Sequence, residues 1–136
     1  MRRYFLRAAC AALAAFAGAS ISVSAHHSFA VYEPNVQIKL TGVVTTFKWA
    51  NPHVYLEIDG TNAKTGEMRH WLLECASTSI LNRAGWKFNM LKPGDAVTVI
   101  VSPLRTGEPA ALLKQMTLAD GSKYSNGAAA GKVTIE

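Results

Sequence analysis

The stretch Lys48–Asp59, KWANPHVYLEID, constrains the fold more than any other part of the chain. Trp49 leads into a turn at Ala50-Asn51-Pro52, and from His53 the residues alternate in character. His53, Tyr55 and Glu57 fall on one face; Val54, Leu56 and Ile58 fall on the other. A period of two predicts a strand with one buried face and one open face. The open face carries an imidazole, a phenol and a carboxylate, more chemistry than a structural strand requires.

The same alternation runs through the flanking segments. Val36–Trp49 predicts a long first strand with Val36, Ile38 and Leu40 in step. Gly42 in its middle predicts a bulge or a sharp bend. His53–Asp59 is the second strand, Gly60–Gly66 a polar turn, and Met68–Cys75 an antiparallel third strand. Ser77 or Thr78 is placed to cap a short helix over Ser79–Ala84, with Gly85 as its stop. Lys92-Pro93-Gly94-Asp95 has the signature of a type II turn. Ala96–Val101 and Ala110–Leu118 supply the fourth and fifth strands, and Ser125–Gly131 is small and polar enough to predict a loose tail. Three strands, a helix and two strands is the order of an all-β, five-stranded, OB-like Greek-key barrel, β-β-β-α-β-β. An open sheet packed on one helix competes with it. The long, bent first strand favours closure, because it must pair on both sides of a small barrel.

The first 25 residues read as an export signal. Arg2, Arg3 and Arg7 form a basic start, Ala8–Ala19 is uncharged and apolar, and Ser22-Val23-Ser24-Ala25 offers small residues for cleavage. The organisation read from this is a signal over 1–25, an N-terminal arm over 26–35, a barrel over 36–121 and a flexible tail over 122–136. Export implies a periplasmic protein, reached by the general secretory route or by the twin-arginine route that Arg2-Arg3 resembles. A cut after Ala25 leaves 111 of the 136 residues, the size of one domain. It also leaves eleven basic against nine acidic residues, so the formal charge falls from +5 to +2. The basic balance belongs mainly to the signal, which removes the support for a nucleic-acid partner. Cleavage leaves no membrane anchor. Cys75 is then the one remaining cysteine, and a buried, inert thiol is expected.

Pairing the second and third strands brings their open faces together. If Trp71, Leu73 and Cys75 join Val54, Leu56 and Ile58 in the core, a turn centred on Ala63-Lys64 sets Glu57 opposite His70, Tyr55 opposite Leu72 and His53 opposite Glu74. Met68 then lies diagonal to Glu57. The plain reading of these pairs is ordinary surface charge pairing. The functional reading is a site for copper or another transition metal, with His53, His70 and Met68 as ligands and Glu57 and Glu74 fixing the imidazoles from behind. His26 would add its imidazole and the new terminal amine after cleavage, a donor set that suits Cu(II). His27 could take its place if trimming differs. The plain alternative is a disordered terminus.

A second reading needs no metal. Trp49, Asn51 and Tyr55 lie where OB-folds commonly bind ligands, so this face could hold a small molecule or another periplasmic protein. No nucleophile elbow, zinc motif, cysteine pair or glycine-rich phosphate loop is present. A third reading, an enzyme, would therefore depend on a bound metal.

Several segments together resemble an exported bacterial family, domain of unknown function 6152. They are His26-His27-Ser28-Phe29, Leu40-Thr41-Gly42-Val43-Val44, Trp49-Ala50-Asn51-Pro52-His53 and Trp71-Leu72-Leu73-Glu74, followed by Leu81-Asn82-Arg83-Ala84-Gly85-Trp86 and Leu91-Lys92-Pro93-Gly94-Asp95. The resemblance covers nearly all of the chain after Ala25 and implies a periplasmic protein without supplying an activity. Cys75 departs from the small or apolar residue expected there. A fainter similarity is to the periplasmic OB-fold copper/silver chaperones, which hold Cu(I) with His and Met beside a Trp. His53, Met68, His70 and Trp49 correspond to that set, while the paired methionines of those chaperones are missing.

Overall fold

Strand β1 (Ile38–Lys48) is the centre of the sheet, paired on one side with β2 (Tyr55–Asn62) and on the other with β4 (Ala96–Pro103). The computed structural model describes residues 29–135. Among them β3 (Met68–Glu74) pairs antiparallel with β2, and β5 (Ala110–Leu118) pairs antiparallel with β4. A parallel contact between β3 and β5, from Leu72↔Ala110 to Glu74↔Leu112, closes the ring. The result is the five-stranded OB-like barrel of the sequence reading, with one short helix, α1 (Thr78–Arg83), between β3 and β4.

Closure is built into β1 at a different residue from the one expected. The bulge falls at Thr45, where the register with β2 steps from Val44↔Ile58 to Thr46↔Glu57. An extra residue flips the alternation. Leu40 and Val44 face the core before it, and Phe47 and Trp49 pack against the core after it. Gly42 has another task. It sits opposite Gly60, and a Cβ on it would overlap the backbone carbonyl of Asp59. Glycine here permits two strands to approach; it does not bend one. A second bulge, in β5 between the partners of Ile100 and Val101, does the same on the far side: Ala111 and Leu113 face inward, then Met116, leaving Lys114 outside the core cluster.

The core cluster inside the barrel is built from apolar side chains. Leu40, Leu56, Ile58, Leu73, Val99, Val101 and Leu113 are fully buried, as are Leu81 of α1 and Trp86 just beyond it. Each such side chain stabilises the fold by about 1.5–3 kcal/mol relative to exposure. The helix is one residue earlier than expected, and the Ser77 hydroxyl bonds to Ser79 Oγ (3.2 Å) without capping it. The expected loose tail is replaced by structure. Lys123–Ser125 adds a sixth strand, β6, to β5, and Gly127–Ala130 makes a 3₁₀ turn. Trp86 explains part of this: its indole N–H donates to the carbonyl of Ser125 (2.8 Å) and its ring meets Tyr124 edge-on. Asn126 explains the rest, as described below.

The β2–β3 hairpin keeps the expected faces but not the expected partners. β2 runs on through Gly60-Thr61-Asn62, read from sequence as turn, so the hairpin register is shifted by two residues: Tyr55 faces Glu74, Glu57 faces Leu72 and Asp59 faces His70. Asn62 sets the turn, its Oδ1 accepting from the backbone N–H of Lys64 (2.9 Å). A two-residue shift preserves the side of every side chain. Val54, Leu56, Ile58, Trp71, Leu73 and Cys75 are all buried as expected.

Candidate functional site

The two histidines of the hairpin stand at its opposite ends. His70 Nδ1 lies 2.8 Å from Asp59 Oδ1 and its Nε2 lies 3.1 Å from Glu57 Oε2. These bonds, with Asp59 first and Glu57 second, raise the imidazole pKa. The ring is exposed, and its two nitrogens point to carboxylates on opposite sides, so the three groups surround the ring without converging on a common point. Met68 is largely exposed beside it on the same face.

His53 lies just before β2, where the ladder continues through the Val54 N–H to Ala76 O bond (3.1 Å) and the Cys75 N–H to Val54 O bond (2.8 Å). Its Nδ1 is 3.1 Å from the carbonyl of Cys75 and 3.3 Å from Glu74 Oε1. Both neighbours are acceptors, so Nδ1 is the donor, and in the neutral ring the lone pair is on Nε2. Tyr32 in turn donates to Glu74 Oε2 at 2.6 Å. Burial, then the bond to Glu74, pushes the Tyr32 phenol pKa up. A chain of Tyr32, Glu74 and His53 results, ending in a ring nitrogen with no hydrogen bond among the described residues.

From His53 to His70 the hairpin runs six residue steps, roughly 20 Å, too far for one metal ion. His26 and His27 lie outside the described residues. Among the described residues no group of three His, Cys, Asp or Glu side chains is arranged to hold a metal ion. Cys75 is buried and faces the core, and burial raises its thiol pKa far above the ordinary value.

The ligand-face candidates are occupied in structural contacts. Trp49 packs edge-on against Phe47, with ring centroids 5.8 Å apart. Asn51 Oδ1 accepts from the Thr78 hydroxyl (2.9 Å), tying the first turn to α1. Tyr55 is half-buried opposite Glu74; desolvation, followed by the Glu74 charge, raises its pKa.

The cavity lies next to His53, outside the barrel wall. It has a volume of about 550 Å³ and sits at the β3–β5 seam. Leu112, Ser102 and Lys114 form its floor, while Ala76, Ser77 and Ile80 flank it from the segment around α1. Tyr32 and Pro34 of the arm, Pro52 and His53 of the first turn, and Ala128 and Ala129 of the C-terminal turn complete it. The arm is held by the Glu33 N–H to Pro103 O bond (2.9 Å), the Arg105 N–H to Val31 O bond (3.0 Å) and an Arg105–Glu33 ion pair. The opposite wall depends on Asn126, which is fully buried. Its Oδ1 accepts from Ala76 N–H (2.7 Å) and its Nδ2 donates to Leu113 O (2.7 Å), joining the loop after β3 to β5. Gly127 has a positive φ of 62°, and a side chain there would run into Ile80. Beyond the turn, Gln37 bonds Lys132 O and the N–H of Thr134.

Sequence reasoning missed Tyr32, Ser102 and Lys114. Lys114 had a signal: a lone cation in the apolar run Ala110-Ala111-Leu112-Leu113-Lys114. Such a residue in a buried strand requires a partner or a bulge. Ser102 and Tyr32 had none, since only the fold sets them beside the same cavity.

A family model matches residues 12–114, well over half of the chain; its description is Family of unknown function (DUF6152). The chain belongs to this DUF6152 family. The match takes in the barrel as far as Lys114, and with it His53, Glu74 and the cavity floor. No curated protein matches the chain, and no solved structure does. Among the described residues no helix is long and apolar enough to cross a membrane.

Proposed function

We propose that this DUF6152 protein is an exported, periplasmic binding module that takes a small, mainly apolar molecule in the cavity beside His53. The observation that carries the reading is an apolar cavity of about 550 Å³ whose floor holds a buried Ser102 hydroxyl without a hydrogen-bond partner among the described residues. That volume lies within the range of small-molecule sites, which are mostly apolar with a few fixed polar groups. An unsatisfied buried hydroxyl costs about 1–3 kcal/mol, and a ligand atom that bonds to it recovers this. The test is displacement of an environment-sensitive apolar dye from the purified protein. Ala128→Trp should fill the mouth and abolish dye binding while leaving the melting temperature nearly unchanged. Full dye binding by that variant would sink the reading.

A copper site is the second reading, favoured by His53 Nε2, which has no hydrogen bond among the described residues. A carboxylate behind an imidazole is the usual support for a metal-binding histidine, and Glu74 is itself fixed by Tyr32. Since the arm carrying Tyr32 immediately follows His26 and His27 in sequence, either could join His53, whereas His70 and Met68 could not. Calorimetric titration of the processed chain with Cu(II) should give one equivalent, lost in His53→Ala and retained in His70→Ala. Equal loss in both variants would remove the site.

A further inference from the structure

The cavity is chemically lopsided. Its walls from the arm, α1 and the C-terminal turn are mostly apolar, and its polar groups lie at the floor and beside His53. No carboxylate lines it among the described residues. Tyr32 OH is committed to Glu74 and Ser77 Oγ to Ser79. What remains on the floor is Lys114 and Ser102. Lys114 is buried, only 7% exposed, yet makes no ion pair among the described residues; its Nζ donates to Ala130 O at 2.8 Å. That bond uses one of three donors. Ser102 is 1% exposed and its Oγ has no partner among the described residues. Ser102 faces Leu112 across the ladder, and Lys114 is two residues further along β5, roughly 7 Å. A buried cation and a buried hydroxyl thus line one cavity beside mostly apolar walls.

We infer that the ligand is an amphiphilic anion, a small organic acid whose carboxylate takes bonds from Lys114 Nζ and Ser102 Oγ and whose hydrocarbon part lies between the arm, Ile80 and the C-terminal turn. This rests on the small-molecule reading of the same cavity and adds the class of molecule to it. Charge complementarity decides the class. A cationic head would set two like charges together, and a neutral alcohol would leave the cation without a counter-charge in a poorly solvated site. The C-terminal turn is part of the recognition, because Ala130 O holds the Lys114 ammonium by a hydrogen bond of 2.8 Å.

The experiment compares octanoate, octan-1-ol and octylamine as competitors for the bound dye, using the chain as cells process it. Octanoate should bind at least tenfold more tightly than octan-1-ol, and octylamine should bind weakest. Lys114→Met should erase the preference for the acid while retaining octan-1-ol, and Lys114→Arg should keep most of it. Ser102→Ala, which removes only one hydroxyl, should weaken octanoate severalfold and leave octan-1-ol within twofold. Should Lys114→Met fail to fold, the Ser102→Ala comparison and the order of the three competitors on the unaltered chain decide. Equal affinity for octanoate and octan-1-ol overturns the head-group assignment and leaves the cavity as an apolar site. Failure of all three to displace the dye overturns both.

Discussion

The hairpin carries two histidine–carboxylate groups on one face, and they differ in almost every physical respect. At the turn end, His70 has a carboxylate at each ring nitrogen, and all three side chains meet solvent. At the closed end, His53 has a carboxylate at one nitrogen only, and Glu74 is buried to 13% exposure between the ring and Tyr32. The same residue types produce a saturated surface cluster in one place and, in the other, a ring whose second nitrogen has no hydrogen bond among the described residues. Cover makes the difference. The arm and the C-terminal turn flank the β3–β5 seam, Tyr32 of the arm bonds Glu74, and a cavity lies beside His53. Nothing among the described residues covers His70.

The strongest way to break this contrast is to remove the cover. Asn126→Ala would leave the buried Ala76 N–H and Leu113 C=O without the partners they now have. Each orphaned group costs about 1–3 kcal/mol, so the variant should lose on the order of 3 kcal/mol in denaturant unfolding. Asn126→Asp is the sharper version. It can still accept from Ala76 N–H but cannot donate to Leu113 O, so its loss should be close in size. A loss under about 1 kcal/mol would show that the C-terminal segment contributes little to the covered end, given the usual cost of one unsatisfied group.

Glu74→Ala comes next. It takes the acceptor from the Tyr32 hydroxyl and the carboxylate from His53 Nδ1, which keeps the Cys75 carbonyl, and bonds to a charged acceptor contribute about 1.5–3 kcal/mol. Glu57→Ala at the other end should cost less than about 1 kcal/mol, the range of exposed ion pairs. Tyr32→Phe in the Glu74→Ala background should then add almost nothing, because the two residues act as one unit. Additive losses, or equal losses at Glu57 and Glu74, would erase the distinction between the ends.

The contrast also explains what the sequence could and could not disclose. Alternation is local, so the faces of β2 and β3, the core residues and the barrel order were all legible from the spacing of Val54, Leu56, Ile58, Trp71 and Leu73. Register depends on the turn, and Asn62 fixes the turn through a side-chain bond to Lys64 N–H that spacing alone does not reveal. The two-residue shift exchanged the directly opposed partners, yet His70 still reached Glu57 and His53 still reached Glu74 by diagonal contacts. The cavity was not legible because no single segment encodes it. Tyr32, Ser102, Lys114 and Ala129 are distant in sequence and meet only once β5 has bulged and Asn126 has drawn the C-terminal segment inward. Thr45, the bulge in β1, lies in a Val43–Phe47 run with no local signal for a break, whereas the neighbouring Gly42 carries one.

The smallest effect separates the two ends by pH. Asp59 first and Glu57 second hold the His70 pKa above its ordinary value, so the folded state favours the charged ring more than the unfolded chain does. The resulting stability is fully present below the unfolded pKa of about 6.5 and disappears as pH rises through the raised folded value. His70→Gln should therefore lower stability by no more than about 1 kcal/mol at pH 5.5 or so, since both partners are solvent-exposed, and by progressively less as pH rises through the raised folded value. Denaturant midpoints of the two proteins across that interval give the measurement. A difference that stays constant or grows with pH would mean that the carboxylates do not act on the charge of His70. Salt should shrink the low-pH difference as well, because exposed charges are screened over about 8–10 Å, whereas the loss in Glu74→Ala, set by buried hydrogen bonds, should persist at high ionic strength.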